Sequence, residues 1–427
     1  MSLLRESIKY SKNPRRILPR LKDKIILPIN YILAKLIAKL GKSKSLRTEG
    51  KPVLLFGAFG GRRYDDNSAA LFEYMVRNEP DFDPYWIIRK DAFIDPGNER
   101  RIPFEDRVVF KDTLRACMLA GQAAAYIYTH GRYDITEYKK SSTPQALDVM
   151  LDHGFTSLKR AKTLRSPSGN DFVQDAADWD LIISGSEEEA MIHSSFWGVP
   201  KEKTAVAGLA RYDRLDSLKN GARANGLSIL YMPTWREWNA SKISLAKTDF
   251  FRQIKSFLVD SSLDEYLHEK GITLNIYVHM WMRDFFEDFK NNFTLKSTNI
   301  IDLGADLQRV LVESSLLITD YSSISWDFLY LDKPVLFYQF DIDKYTENTG
   351  AYINMKEDLF GPISYDPEEA ARWVRCFIEN DYSTELFRCK MQKSSQYAFA
   401  YSDGKNCARI SAAIKDKLIS RKTGRAI

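Results

Sequence analysis

Residues 306–341 read DLQRVLVESSLLITDYSSISWDFLYLDKPVLFYQFD, and two short apolar runs in this stretch flank a helical segment. The runs 316–319 and 334–338 have the length and composition of buried strands, and residues 324–331 between them predict a helix. A strand, a helix and a second strand in this order form a βαβ unit, which predicts a parallel sheet. The loop Thr319–Ser323 would then join the end of the first strand to the start of the helix.

The same alternation of apolar runs and helical stretches extends over the chain from residue 52. The predicted strands are 53–59, 85–89, 124–129, 146–151 and 180–184 in a first domain, and 227–232, 272–278, 299–303, 316–319 and 334–338 in a second. Helices are predicted near 249–259, 366–380 and 404–420. The polar segment 215–226 predicts a hinge. These patterns indicate an α/β protein of two Rossmann-like, doubly wound domains, 51–220 and 221–427, facing a cleft as in the GT-B architecture.

Composition excludes several classes of protein. A chain of 427 residues with 44% apolar and 28% charged residues is long enough for two globular domains. The four cysteines, Cys117, Cys376, Cys389 and Cys407, form no CxxC pair, which argues against a disulfide framework or structural metal. His193 and His268 also lack a partner at metal-binding spacing and are predicted to be structural or surface residues. We expect no metal, no cofactor and no nucleic-acid partner.

The net charge of +5 is concentrated at the start of the chain, where residues 1–50 hold thirteen Lys and Arg against three acidic residues. Within this segment one helical face carries Ile29, Ile32, Leu33, Leu36, Ile37 and Leu40, and the opposite face carries Lys35, Lys39 and Lys42. The pattern predicts an amphipathic helix that lies on an anionic membrane surface, with residues 12–44 in contact. The alternative is a helix packed on the protein's own core. No stretch has the length of a transmembrane helix.

The loop Thr319–Ser323 is the first candidate for ligand binding. Ligands of open parallel sheets bind outside the carboxyl ends of the strands. A helix that begins there directs backbone N–H groups and the positive end of its dipole toward an anion, and Ser322 and Ser323 can add hydroxyl donors. Simple N-capping by serine is the alternative.

His153 is the catalytic candidate. It follows the predicted strand 146–151, and Gly154 after it allows a sharp bend of the backbone beside a substrate. An imidazole at this place can accept a proton from an attacking hydroxyl near neutral pH. For a histidine without other evidence, a structural role is the alternative.

Several segments together resemble one enzyme family. Residues 306–341 resemble the signature of the CDP-glycerol glycerophosphotransferases. Residues 56–75 resemble the first strand and helix of that family, where a Tyr-x-Asp-Asn stretch, here with Asp66 and Asn67, lies at the cleft. GLARYDRL at 208–215 and LYMPTWR at 230–236 resemble two further family passages, so the resemblance spans roughly residues 52–400.

This resemblance implies transfer of glycerol phosphate from CDP-glycerol to a hydroxyl of a lipid-linked, glycan or polyol-phosphate acceptor, with release of CMP. Such enzymes make teichoic-acid-like or capsular polymers, and a peripheral location on the cytoplasmic face of the membrane is expected. The roles carried over to this chain are pyrophosphate binding by Ser322 and Ser323, loop orientation by Asp320, proton abstraction by His153 and donor-phosphate contact by His279. Arg211 and Arg236 are weaker candidates for phosphate clamps, and Gly154 and Lys159 are acceptor-side candidates.

The loop after His153 departs from the family pattern. The family has an aromatic residue before His-Gly-Thr-Pro-Leu-Lys, whereas here Asp152 precedes His153 and the run HGFTSLKR is one residue longer before Lys159. Because neighbouring side chains on a strand point to opposite faces, a contact between Asp152 and the imidazole is not expected. A CDP-ribitol transferase, a GT-B glycosyltransferase that uses a nucleotide sugar, and a non-catalytic subunit of a polymer-synthesis complex remain as alternatives.

Overall fold

The computed structural model divides into two compact units. It describes residues 29–30, 32–33, 50–94, 99–137, 140, 143, 145–160, 176–221, 226–234, 236, 248–277, 286–301 and 304–423. The first unit comprises Met1–Asp95 with Ile102–Met150, and the second comprises Pro96–Arg101 with Leu151–Ile427.

The first unit is built on parallel strands with helices between them. Its elements are β1 (Val53–Gly57), α1 (Asp66–Asn78), β2 (Asp83–Ile88), α2 (Lys90–Phe93), β3 (Val108–Phe110), α3 (Leu114–Gln122), β4 (Ala125–Tyr128) and β5 (Leu147–Met150). The strands lie in the order β3-β2-β1-β4-β5. The chain order reverses direction between β1 and β4, which makes their carboxyl ends the switch point of this unit.

The second unit contains a six-stranded parallel sheet in the order β10-β9-β8-β11-β12-β13 and the parallel pair β6 and β7. Its strands are β6 (Leu181–Ser184), β7 (Thr204–Val206), β8 (Ser228–Tyr231), β9 (Thr273–Tyr277), β10 (Thr298–Ile301), β11 (Leu316–Thr319), β12 (Val335–Tyr338) and β13 (Ile363–Ser364). Its helices are α4 (Glu187–Phe196), α5 (Ala210–Gly221), α6 (Asp249–Lys255), α7 (Leu263–Glu269), α8 (Phe286–Phe293), α9 (Leu307–Glu313), α10 (Ile324–Tyr330), α11 (Ile342–Asn348), α12 (Pro367–Glu379), α13 (Arg388–Ala398) and α14 (Asn406–Thr423).

Both faces of the six-stranded sheet are covered. Leu317 and Phe337 belong to the apolar cluster on one face, and Ile318 and Leu336 belong to the cluster on the other. Because both faces are buried, strands β11 and β12 are apolar at nearly every position, which is why they stand out in the sequence. The loops at their carboxyl ends are held on a rigid base.

Most of the predicted elements are confirmed, with boundaries shifted by at most four residues. The elements that were not predicted individually include the strands β3, β7 and β13 and the helices α11 and α13. The predicted hinge over 215–226 is wrong in its first part, because α5 runs through residue 221. The polar composition of residues 215–221 reflects the exposed face of this helix. Residues 222–225 lie outside the described residues.

Two predictions about the organisation of the chain stay open. Residues 151–220 group with the second unit, so a boundary at residue 220 remains a prediction. Most of the predicted amphipathic helix lies outside the described residues, although residues 29–30 and 32–33 are helical. Among the described residues, no helix has the length and apolar character needed to cross a bilayer.

Candidate active site

Residues 151–160, the histidine loop, follow β5 in the chain and are fixed by contacts within the second unit. The ring of Phe155 packs edge-on against that of Trp326, with centroids 4.9 Å apart. The Leu158 carbonyl accepts a hydrogen bond of 3.1 Å from the Tyr345 hydroxyl, and the Ser157 carbonyl accepts one of 2.7 Å from the Tyr352 N–H. The loop thus has a defined backbone path in spite of its length.

Residues 320–323, the serine loop, connect β11 to α10. The Asp320 carboxylate accepts hydrogen bonds from the Thr234 N–H at 2.9 Å and from the Tyr321 N–H at 2.6 Å, so it fixes the start of the loop. This geometry agrees with the predicted orienting role of Asp320, which stays a prediction. Ser322 and Ser323 are half-buried, and the Ser323 side chain makes no cap hydrogen bond to α10. Simple N-capping therefore does not account for Ser323.

The two loops touch at Gly154. A Cβ atom at this position would lie 2.7 Å from Ser323 Oγ and 3.1 Å from Ser323 Cβ. Real carbon atoms do not approach an oxygen so closely without displacing it, and only glycine permits this contact. The structure therefore brings together His153, Gly154 and Ser323, which the sequence had suggested separately.

Arg211 holds the two loops in this arrangement. Its guanidinium donates two hydrogen bonds to the Asp327 carboxylate of α10, at 2.9 and 2.6 Å, and a further one to the His153 carbonyl. The side chain is almost completely buried. Because its donors face a carboxylate and a carbonyl, the geometry favours a positioning role for Arg211 over the predicted phosphate clamp.

Arg236 lies in a buried ion cluster beside the serine loop. It forms ion pairs of 2.8 Å with Asp320 and 2.7 Å with Asp341, and its side chain is fully buried. Burial would lower the pKa of Arg236, but the two carboxylates outweigh burial and raise it. The Tyr321 hydroxyl also donates to Asp341, at 3.0 Å. The contacts of Arg236 favour a structural role over the predicted phosphate clamp.

Asp152 contacts the imidazole of His153, contrary to the expectation from strand alternation. Asp152 Oδ1 lies 3.1 Å from His153 Nδ1. The reason is local: β5 ends at Met150, and Asp152 has a left-handed backbone with φ of 56°. Alternation applies to extended backbone only, so the two side chains can meet. The His153 side chain is 53% exposed, as a group that meets a substrate requires.

Behind this pair lies a buried cluster of Asp152, Glu189 and His193, whose polar atoms lie within 4.8 Å of one another. Burial and the charge of Asp152 raise the pKa of Glu189 to about 8, and burial lowers the pKa of His193 to about 4. Burial alone would raise the pKa of Asp152, but the hydrogen bond and charge of His153 lower it to about 2. These shifts make Asp152 the most acidic group of the cluster and favour the neutral forms of Glu189 and His193.

The same cluster has the residue types of a metal site. However, both Glu189 oxygens accept backbone N–H groups at 2.6 Å, from Thr156 and Gly185. Asp152 Oδ2 accepts the Thr156 hydroxyl at 2.8 Å. Because these oxygens already have donors, the contacts favour a hydrogen-bonded cluster. Sequence spacing could not reveal it, since His193 is on α4, far from Asp152 in the chain.

The remaining predicted site residues belong to different parts of the chain. Asp66 and Asn67 lie at the start of α1 in the first unit, where both are buried and the Asp66 carboxylate accepts the Asn67 N–H at 2.8 Å. Lys159 is a half-buried member of the histidine loop. His279 lies outside the described residues. The roles of all four stay predictions.

His130 was not among the predicted site residues, although it also precedes a glycine at the end of a strand, β4. Its N–H donates to Asp134 Oδ2 at 3.0 Å, and the Gly60 N–H donates to Asp134 Oδ1 at 2.7 Å. Asp134 therefore joins the loops that follow β4 and β1, at the switch point of the first unit. The His-Gly pair after an apolar run was the signal that could have identified it.

Two α/β units, with the catalytic candidates at the carboxyl ends of parallel strands, define the GT-B class of fold, and the predicted fold class is confirmed. Residues 42–416 match the family described as CDP-Glycerol:Poly(glycerophosphate) glycerophosphotransferase, and the chain belongs to this family. A solved structure of a variant of the wall teichoic acid polymerase TagF soaked with CDPG has a TM-score of 0.66 and 19% identity, and covers 93% of this chain and 98% of its own.

Two characterised relatives resemble the chain in sequence. The teichoic acid poly(glycerol phosphate) polymerase of Bacillus subtilis (strain 168) is 27% identical over 394 residues, which are 84% of this chain and 48% of that protein. The teichoic acid glycerol-phosphate transferase of Staphylococcus aureus (strain NCTC 8325 / PS 47) is 26% identical over 354 residues, 78% of this chain and 84% of that protein. The chain thus spans about half the length of the Bacillus polymerase.

The contact at Gly154 gives a first prediction. Gly154→Ala should destabilise the fold by about 1–3 kcal/mol and shift the serine loop, since the added methyl group overlaps Ser323. Thermal unfolding would measure the loss. Gly221→Ala is the matched control, because nothing lies within 4 Å of a Cβ there.

Adding Ser323→Ala to Gly154→Ala removes the closer of the two overlapping atoms, and part of the lost stability should return. If Gly154→Ala melts at the wild-type temperature, the two loops are not in the contact described.

Proposed function

We propose that this protein transfers glycerol phosphate from CDP-glycerol to a hydroxyl of a lipid-linked or polymeric acceptor and releases CMP, in the synthesis of a teichoic-acid-like polymer. The observation that carries the proposal is the contact of the histidine loop with the serine loop at Gly154 and Ser323. It places a base candidate beside a candidate phosphate site. Family membership, the relatives named above and the CDPG-soaked TagF variant support the choice of donor.

The reaction follows from the roles of the two loops. The acceptor hydroxyl attacks the phosphorus that carries glycerol, a new P–O bond forms, and the bond from this phosphorus to the bridging oxygen of CMP breaks. His153 takes the proton of the attacking hydroxyl, and CMP leaves with the electron pair of the broken bond. Phosphoryl transfer depends mainly on alignment and charge stabilisation, so fixed loops contribute directly to the rate.

The negative charge of the donor diphosphate would face the serine loop. The hydroxyl groups of Ser322 and Ser323 supply neutral donors, and the start of α10 adds the positive end of its dipole. Because Asp320 is held by the Thr234 and Tyr321 N–H groups, these donors need little rearrangement when the donor binds. His279 is proposed to add a contact to the donor phosphate, as the family resemblance implies.

Association with an anionic membrane surface is a second part of the proposal. The described residues of the predicted amphipathic helix leave Ile29, Ile32 and Leu33 exposed by 50%, 57% and 42%. The Asn30 side chain donates to the Asp112 carbonyl at 2.9 Å, so these side chains are exposed next to a fixed point of the first unit. Exposed apolar side chains within a basic segment support a membrane contact over a core packing role.

His153→Ala should lower turnover of CDP-glycerol at least about a hundredfold, the scale of a lost general base, while folding and donor binding change little. The side chain is half exposed, so its removal creates no large cavity. CMP release in steady state would measure turnover, and calorimetry would measure donor affinity.

His268→Ala is the control for His153→Ala, since His268 is an exposed histidine of α7 in the same unit. Turnover near the wild-type rate in His153→Ala would reject the role of His153 as base. A panel of CDP-glycerol, CDP-ribitol and nucleotide sugars tests the donor at the same time.

Ser322→Ala combined with Ser323→Ala should weaken donor binding more than it lowers turnover at saturation. The two hydroxyl donors are lost, whereas the positive end of the α10 dipole remains. Calorimetric titration of CDP-glycerol into both proteins is the measurement. Equal affinity in the variant and the wild type would place the diphosphate elsewhere.

Removal of residues 1–44 should leave both units folded and sharply reduce binding to vesicles that contain anionic lipid. Binding of the full-length chain should weaken at high salt, because the screening length falls to about 3 Å at 1 M. Vesicle flotation measures binding, and activity on a short soluble acceptor checks that the units remain active.

Ile32→Asp in the full-length chain is the matched variant, because an exposed side chain can be changed without loss of packing. The membrane role would be rejected if the truncated protein aggregates and the full-length protein does not bind vesicles. Those two results would show that the segment packs on the core.

A further inference from the structure

The backbone at Asp152 places its carboxylate against the following imidazole. Asp152 has φ of 56°, a left-handed conformation that aspartate tolerates better than most residues. In this conformation Oδ1 accepts the His153 N–H at 2.6 Å and lies 3.1 Å from Nδ1 of the ring. One carboxylate oxygen therefore contacts both the backbone and the side chain of the same histidine.

The carboxylate itself is fixed from behind. Its second oxygen accepts the Thr156 hydroxyl at 2.8 Å and lies 4.0 Å from His193 Nε2. The Asp152 side chain is 4% exposed, so water competes little for it. Contacts to both oxygens restrict the rotation of the Asp152 carboxylate. A group that orients a neighbouring imidazole needs such a fixed position.

Within the part of the chain that the structure describes, Asp152 brings a carboxylate into contact with His153. Glu189 and His193 face Asp152 from α4, Thr156 faces it from the histidine loop, and Arg211 is held on the His153 carbonyl. The Asp152 carboxylate is in direct contact with the ring, with Oδ1 3.1 Å from Nδ1. His153 Nδ1 faces this anion, so Nε2 is the nitrogen on the opposite side of a half-exposed ring.

We propose that Asp152 is a positioning residue for His153, which holds Nδ1 as the protonated nitrogen and keeps the Nε2 lone pair available for the acceptor hydroxyl. The inference rests on the proposed function of His153 as base. When Nε2 takes the hydroxyl proton, Asp152 stabilises the imidazolium that forms and does not itself change protonation. This carboxylate stands where the family pattern has an aromatic residue, so the arrangement is a property of this chain.

The test combines kinetics with NMR spectroscopy of the full-length protein labelled at histidine. Asp152→Asn keeps the shape of the side chain and a residue type that tolerates the left-handed backbone, but it removes the charge. We expect kcat to fall about a hundredfold and KM for CDP-glycerol to change by less than about threefold. Asp343→Asn, at an aspartate of α11 whose side chain is 90% exposed, is the matched control and should have wild-type kinetics.

The dependence on pH separates an orienting charge from a structural role. Removal of a neighbouring negative charge disfavours the imidazolium, so His153 in Asp152→Asn should lose its proton at lower pH than in the wild type. The acid limb of kcat/KM against pH should move to lower pH by about one unit, and the NMR titration of the His153 ring should move in the same direction.

The wild-type protein alone also tests the proposal. Nitrogen chemical shifts of neutral His153, assigned with the His153→Gln variant, should show a proton on Nδ1 and none on Nε2. A proton on Nε2, or equal titration of His153 in the wild type and Asp152→Asn, would overturn the role of Asp152. If no CDP-polyol is turned over, the proposed function fails, whereas the NMR result still decides the contact between Asp152 and His153.

Discussion

The guanidinium of Arg211 is the contact on which the site depends. Its two hydrogen bonds to Asp327 fix the first turn of α10, and its bond to the His153 carbonyl fixes the histidine loop. Arg211 and Asp327 are 116 positions apart in the chain, so one buried ion pair links α5 to α10, which are distant in sequence. Loss of one partner of such a pair costs about 3–5 kcal/mol, because it leaves an uncompensated charge. The positions of the base candidate and the phosphate candidate therefore depend on the same interaction.

The ion cluster of Arg236 stabilises the other side of the serine loop. Asp320 and Asp341 share the guanidinium, and Tyr321 stacks on Tyr345 with ring centroids 3.6 Å apart. Tyr345 in turn donates to the histidine loop at Leu158. Both loops are thus held by groups that face away from solvent. A site built in this way has its donors in place before a ligand arrives, which is the condition for electrostatic stabilisation without reorganisation.

The sequence predicted the elements whose pattern is local. Strands such as β11 and β12 are apolar because both faces are buried, and their loops could be assigned to the ligand side of the sheet. The strand β13 was missed because two residues carry too little pattern. The helix α13 was missed because its few buried positions, Met391, Ser394 and Ala398, include a serine and form a weak stripe.

The site was predictable only in part, because several of its contacts join residues that lie far apart in the chain. Residue types at strand ends identified His153, Gly154 and Ser323, but the partners of the predicted arginines lie far along the chain. Nothing in the spacing of Arg211 or Arg236 indicates a carboxylate partner. The contact between Asp152 and His153 was not predicted, because the alternation of side chains along a strand was extended beyond Met150, where the strand ends. The left-handed backbone of Asp152 turns its side chain toward the imidazole.

The left-handed backbone at Asp152 limits which residue types can precede the histidine. An aromatic residue, as the family pattern has before the histidine, would be strained at φ of 56°, whereas Asp, Asn and Gly tolerate this conformation. An engineered aromatic residue at position 152 would therefore require a different backbone there, whereas Asn or Gly would keep it. The choice of residue 152 is thus limited by its backbone as well as by its contact with His153.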